Sequence, residues 1–117
     1  VQATGASACH DSWHRRQRLT VERADTFADG LATRATYDLS YPAMDAGLAG
    51  FVKVDDAAIA AAIRTLLSTT HNLAEGAGAA GLAGLQQLAP QLAGKTVVVV
   101  LSGSNIDLAT LARITAA

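Results

Sequence analysis

Four consecutive valines and a leucine, Val97–Leu101, run straight into Ser102-Gly103-Ser104-Asn105. A β-branched run that is apolar on both faces reads as a strand over Thr96–Leu101 buried in a parallel sheet, since a strand with one wet face alternates. That strand ends abruptly at hydroxyls, a glycine and an amide. In open parallel sheets, ligands settle in the crevice beyond the carboxyl ends of the strands. Gly103 permits close backbone approach or a positive φ, and the N–H groups that open the following helix can meet an anion. The plainer reading is a strand-to-helix turn with Ser104 or Asn105 as the helix cap. The residues alone leave both readings open.

The remaining pattern agrees with an α/β chain. Val1–Ala3 reads as the stub of a strand, broken by Gly5, and Ala6–Arg16 as a helix. Gln17–Asp25 is a polar connection, after which Asp25 or Thr26 is placed to cap a helix over Phe27–Ala35. In Thr36–Gly50, Pro42 and Gly47 argue against one continuous helix. Gly50–Val54 is a short strand. Asp55 caps a helix to about Thr70, with Ile59, Ile63, Leu66 and Leu67 on a single stripe. A further helix runs from Gly76 to Ala89 and stops before Pro90. Gly94-Lys95 is a turn, and Ile106–Ile114 is the closing helix. Strands alternating with helices predict a partial three-layer α/β domain with a mainly parallel sheet, spanning 1–117 as a single unit. Gly78, Gly81 and Gly84 each cost about 1 kcal/mol against alanine inside a helix. Close approach to another backbone would offset that. Pairing of membrane helices is the rival reading, but the stretch is short and bounded by Glu75 and Pro90.

Charge and cysteine use exclude several function classes. The net charge is −1, which offers no field for nucleic acid or acidic lipid. Arg15, Arg16 and Arg18 read as the solvated end of a helix. A single cysteine, Cys9, leaves no internal disulfide and fits a reducing cytoplasm. No stretch matches a membrane span or a signal peptide. The chain opens on Val1-Gln2-Ala3 without an initiator methionine, which suggests a piece of something longer.

Other candidate chemistry is weaker. His10 and His14 share a helix face and could reach one zinc ion. However, Asp11 stands where a metalloprotease helix needs Glu, and no third ligand follows at a known spacing. Cys9 and His10 are neighbours in sequence and point about 100° apart on a helix, so they do not form a catalytic pair. His71 sits where a helix ends. No G-x-S-x-G surrounds Ser102 or Ser104, so a hydrolase elbow is unsupported.

Three stretches carry a resemblance: "TFADGLATR" (26–34), "FVKVDDAAIAAAIRTLLSTTHNLAEGAGAAGLAGL" (51–85) and "LAGKTVVVVLSGSNIDLATLARI" (92–114). Together, T-x-A-D-G, E-G-A-G and L-S-G-x-N resemble the C-terminal portion of the serine/threonine dehydratases, pyridoxal-phosphate enzymes of the tryptophan-synthase-β fold type. The resemblance implies that Ser102 bonds the pyridine nitrogen of the cofactor, with Gly103 and Asn105 beside it. It places Glu75 next to the cofactor ring, Asp29 and Gly30 in a turn near the active site, and Thr33 near the substrate. A neutral hydroxyl at the ring nitrogen makes a weaker electron sink than a carboxylate would, which suits elimination of a β-hydroxyl group.

Departures from the family pattern also matter. The family usually reads S-G-G-N, so a positive φ at position 104 would strain Ser104 by about 1–3 kcal/mol. Some members bind a divalent cation through V-E-P-x-x-A-D-D. Here Gln2 and Ala8 replace both carboxylates, so no metal is expected there. The Schiff-base lysine and the glycine-rich phosphate loop lie upstream of this region in the family. The only lysines here are Lys53, on a solvated-looking edge, and Lys95, at the far end of the strand from Ser102. The expectation is therefore a segment of an ammonia-lyase that turns serine or threonine into a 2-oxo acid and ammonia. It has no catalytic residue of its own and is inactive alone. Its partners would be the missing N-terminal part, a small amino-acid substrate and, at a subunit interface, a second copy. The alternatives are an amino-acid racemase of the same fold, a non-catalytic anion-binding α/β module, and a remnant unable to fold.

Overall fold

The computed structural model describes residues 1–116. Its sheet is small. β1 (Gln2–Ala3) and β2 (Lys53–Val54) pair in parallel, Gln2 beside Lys53 and Ala3 beside Val54. Between them come a 3₁₀ turn (Thr4–Ala6), α1 (Ala8–Arg15), a second 3₁₀ turn (Asp29–Leu31) and α2 (Ser40–Gly47). After β2 follow α3 (Asp56–Thr70), α4 (Gly76–Leu92) and α5 (Leu108–Thr115). α3 packs along α4, α4 also touches β2, and α5 closes on α3. The fold is α/β with a parallel sheet, as the strand–helix alternation predicts. It is flat, 40 × 37 × 20 Å, and its radius of gyration of 14.4 Å exceeds the roughly 13 Å of a compact chain of this length. No helix among the described residues is long and apolar enough to cross a membrane.

α3 forms where its local signals put it. The Asp55 carboxylate accepts from the Ala58 N–H at 2.7 Å, Ile59 and Ile63 are fully buried, and His71 ends the helix at φ 57°. The core around these residues is built mostly from alanine, including Ala62, Ala74, Ala79 and Ala83. Such small side chains let α3 and α4 lie close. The glycine series of α4 serves the same end on its other side. A Cβ at 78 would lie 2.5 Å from the Gly103 carbonyl oxygen, and one at 81 would lie 2.9 Å from a Val99 methyl.

Several expectations need correction. Phe27–Ala35 is not a helix: only Asp29–Leu31 makes a 3₁₀ turn. The Asp56 carboxylate accepts from the Thr26 hydroxyl and the Phe27 N–H, and the Ala28 N–H bonds the Thr26 hydroxyl. These bonds fix an irregular turn that a helix would break. α4 does not stop before Pro90 but carries it to Leu92. Proline lacks one N–H, and so close to a helix end the loss of one bond is borne. Thr36–Gly50 is indeed not one continuous helix: only the short α2 forms within it, ending at Gly47, with Pro42 in its first turn, where an N–H has no partner anyway. α1 starts later than expected, because residues 4–6 turn as 3₁₀, and Arg16 closes it at φ 54°. The cap of the last helix is neither Ser104 nor Asn105 but Asp107, which accepts from the Thr110 N–H at 2.8 Å.

The largest correction falls on Thr96–Leu101. Among the described residues it pairs with no other strand, and Val98 and Val100 stand 86% and 73% exposed. Sequence shows that a run wants to be a strand, but the neighbour that completes it must come from elsewhere in space.

Candidate functional site

The first turn of α4 and the 102–105 turn meet directly. The Glu75 N–H donates to the Gly103 carbonyl at 3.0 Å. A Cβ on Gly103 would overlap the Glu75 carboxylate, and one on Gly78 would press on the Gly103 carbonyl. Two missing side chains thus let the backbone at 103 sit against the start of α4, with the Glu75 carboxylate laid over it. Gly30 joins this corner from the second 3₁₀ turn, where a Cβ would come within 2.9 Å of the Ala77 Cβ. The structure therefore brings together Glu75, Gly103 and, through Ala77, Gly30.

Ser102 and Asn105 flank the corner and are exposed. Among the described residues, neither side chain is hydrogen-bonded to the protein. Ser104 does not have a positive φ, so replacing the family's second glycine stores no backbone strain. A free neutral hydroxyl, a free amide and a carboxylate at one edge suit the polar rim of a heteroaromatic ring, with Ser102 able to donate to or accept from a ring nitrogen. The lysines do not serve this corner. Lys53 Nζ bonds Asp11 at 3.1 Å, so it is not the solvated edge its sequence context suggests. Lys95 follows the opposite end of α4, whose 17 residues span about 25 Å at 1.5 Å per residue.

Thr33 is not drawn into this corner. Its hydroxyl accepts from the Gln2 side-chain amide at 3.3 Å and lies 3.7 Å from the Cys9 sulfur. The Gln2 carbonyl oxygen in turn accepts from the His10 N–H at 2.9 Å. Gln2 is buried, so this bridge spends both ends of its amide within the fold. Cys9 faces Thr33 and Ala35 while His10 faces Asp11, so the two neighbours do point apart. The His10 and His14 rings lie with centroids 4.2 Å apart and planes tilted by 47°, and the His14 Nε2 is taken by the Phe51 carbonyl at 2.9 Å. Among the described residues, no group of three or more His, Cys, Asp or Glu side chains is arranged to hold a metal ion.

Sequence reasoning missed the network around Asp11. Its carboxylate accepts from the Ser7 hydroxyl at 2.7 Å, contacts His10 at 2.8 Å and pairs with Lys53. The Ser7 bond, helped by His10 and Lys53 and opposed by partial burial, holds the Asp11 carboxyl well below the usual carboxylate range. Lys53 is 42 residues away, and no local spacing signals such a pair. Because the folded pKa is depressed, the stabilisation is present above the unfolded value near 3.9 and is lost as pH falls through the folded pKa. Asp11→Asn should therefore cost about 1 kcal/mol at neutral pH. In urea unfolding at stepped pH, the gap between the wild type and the variant should hold down to about pH 4 and shrink below it.

Known proteins bear out this reading of the fold. Residues 1–103 match the family described as "Pyridoxal-phosphate dependent enzyme". The biosynthetic L-threonine dehydratase IlvA of Lactococcus lactis is 31% identical over 114 residues, 97% of this chain but 27% of that protein. The IlvA of Staphylococcus aureus is 31% identical over 109 residues, covering 92% of this chain and 26% of its own length. This chain thus spans about a quarter of the curated relatives it matches. Threonine deaminase isoform 2 of Solanum lycopersicum superposes with a TM-score of 0.90 at 28% identity, over 97% of this chain and 32% of that one. Maize serine racemase superposes at 0.83 and 27%, over 98% and 37%. A match over most of the residues, with the same fold in solved relatives, shows that this chain belongs to the pyridoxal-phosphate dependent enzyme family.

Proposed function

We propose that this chain is the C-terminal part of the large domain of a pyridoxal-phosphate dependent ammonia-lyase acting on L-threonine or L-serine. The observation that carries the reading is the meeting of Glu75 and Gly103 beside an unengaged Ser102 hydroxyl. The threonine dehydratases of two bacteria, alike over nearly the whole chain, give that meeting its chemical sense. When bound, the cofactor supplies the electron sink that lets a substrate lose its α-proton and β-hydroxyl. In this reading, Ser102 holds the ring nitrogen through a neutral hydroxyl, while Gly103 and Asn105 shape the edge around it. Glu75 lies along the ring, and Gly30 closes the wall through α4. Thr33, tied to Gln2, positions the wall rather than the substrate. The residue that binds the cofactor covalently and the loop that binds its phosphate would come from a further part of the enzyme. Such an enzyme is at home in the cytoplasm, where Cys9 stays reduced.

The test is a chimera in which this chain replaces the matched segment of the Lactococcus lactis relative. Formation of a 2-oxo acid and ammonia from L-threonine or L-serine is the expected result. A folded, cofactor-loaded chimera that forms neither product would overturn the proposal. The chain by itself, treated with pyridoxal phosphate and borohydride, should show no saturable, one-to-one adduct on Lys53 or Lys95, only the slow labelling that any exposed amine undergoes in proportion to the aldehyde added, and mass spectrometry against cofactor concentration checks this. The second reading, amino-acid racemisation, rests on the likeness to maize serine racemase. Release of a D-amino acid in place of the 2-oxo acid would favour it.

A further inference from the structure

His10 and His14 stand one helical turn apart on α1, and each ring has one nitrogen already engaged. The partner fixes which nitrogen carries the proton. Asp11 is held ionised and only accepts, so the His10 Nδ1 that faces it at 2.8 Å is the donor. A backbone carbonyl also only accepts, so the His14 Nε2 that faces the Phe51 oxygen at 2.9 Å is a donor too. In the neutral rings, the His10 Nε2 and the His14 Nδ1 are left with bare lone pairs. Among the described residues, no group donates to either. We propose that this pair is a metal site, a two-imidazole clamp for a late first-row divalent cation, Cu²⁺ or Ni²⁺, with water completing the shell. The inference uses only groups that this chain supplies, and it rests neither on an open face nor on the proposed cofactor chemistry.

The surroundings of both rings fit a ligand role. A metal-ligating histidine commonly gives its other N–H to a carboxylate or a backbone carbonyl, which fixes the tautomer and makes the ligating nitrogen more basic. Here both histidines do so, one to each kind of acceptor. Lys53 pairs with the same Asp11 oxygen, so no uncompensated negative charge collects there. The clamp is one of neutral nitrogens, which favours a borderline metal over the oxygen-seeking Mg²⁺ and Ca²⁺. Aromatic neighbours hold the rings in place: Phe51 meets His10 edge-on at 5.5 Å, and Trp13 meets His14 edge-on at 4.8 Å. Two ligands are too few for a structural zinc site, which takes four in a tetrahedron. The rings lie with centroids 4.2 Å apart. An ion about 2.1 Å from one nitrogen of each ring would see them about 80° apart, close to the cis angle of a tetragonal or octahedral shell.

Equilibrium dialysis of the chain against Ni²⁺ tests this, with thermal unfolding beside it. One ion per chain is the expected result, and the unfolding midpoint should rise as the ion is added, since binding to the folded state alone stabilises it. Asp11→Asn keeps both imidazoles but loses the carboxylate behind His10, and should weaken binding about tenfold. His10→Gln and His14→Gln each remove a ligand and should weaken it further. His71→Gln and Cys9→Ser remove the remaining histidine and the single thiol, and should leave binding unchanged. No binding at millimolar Ni²⁺, binding indifferent to the loss of His10 or His14, or equal binding by the chain unfolded in urea would each overturn the proposal. If the chain alone does not unfold cooperatively, the Lactococcus lactis chimera decides: its affinity for Ni²⁺ should fall in the His14→Gln form, and an unchanged affinity would overturn the proposal.

Discussion

Gly5→Ala should destabilise this protein more than any other single methyl group added to it. A Cβ at position 5 would overlap the Asp25 carbonyl oxygen and come within 2.8 Å of its carbon. Both obstacles are backbone, so no side chain can swing away. The same two residues are joined by the Asp25 N–H donating to the Gly5 carbonyl at 2.8 Å, and that bond must break if the chains part. Overpacking costs about 1–3 kcal/mol, sometimes more, and a lost backbone bond adds about 1 kcal/mol. The expected loss is about 3 kcal/mol, a large share of the roughly 5–15 kcal/mol that holds a domain folded. The midpoint of thermal unfolding should fall by about 10 °C or more. The effect should also reach the candidate site. Asp25 precedes Thr26, whose hydroxyl and neighbours hang on Asp56 and set the turn that carries Gly30. Gly47→Ala is the matched control: a Cβ there meets nothing within 4 Å, in the last turn of α2. It should leave stability unchanged or raise it by up to about 1 kcal/mol. Equal midpoints for the two variants would show that the contact at Gly5 is not tight.

These two glycines also mark what a sequence reader can and cannot see. Nothing near Gly47 or Gly5 distinguishes them, because the crowding at Gly5 comes from a residue 20 positions on. α3 was readable because every signal it needs lies within it: Asp55 for its first turn, an apolar stripe, and a residue at its end that accepts a left-handed conformation. The 27–35 stretch departs from the helix its sequence predicts for the opposite reason. Its helical pattern is local, whereas the Asp56 bonds that override it arrive from another element. The valine run was legible as extended and apolar, but a ladder is a property of two segments. Within the site, the series Gly78, Gly81, Gly84 announced that something comes close to α4. That it is residues 99 and 103, with Val1 against Gly84, needed the fold. The polar bridge through Gln2 and the Asp11–Lys53 pair left no trace in spacing at all.

Gly78→Ala should separate the two halves of the candidate site. The added Cβ would lie 2.5 Å from the Gly103 carbonyl oxygen and 3.2 Å from its nitrogen. That oxygen is the acceptor for the Glu75 N–H, so pushing it away removes a bond at the start of α4. Alanine gains about 1 kcal/mol of helix propensity over glycine, which offsets part of the loss. Overpacking against backbone and the broken bond together exceed that gain, leaving a net cost of about 1–3 kcal/mol. Gly81→Ala serves as comparison. Its Cβ meets the end of a valine side chain at 2.9 Å, and the mostly exposed 96–101 segment can yield there. Its net effect should therefore be smaller, within about 1 kcal/mol of zero. Global stability alone cannot separate local crowding from general damage, so the deciding reading is amide exchange at Glu75. In Gly78→Ala that amide should lose its protection while those of Ile63 and Ala83, deep in α3 and α4, keep theirs. If Glu75 stays as protected as in the wild type, the Gly103 carbonyl is not its partner. The corner on which the cofactor reading rests would then be built differently.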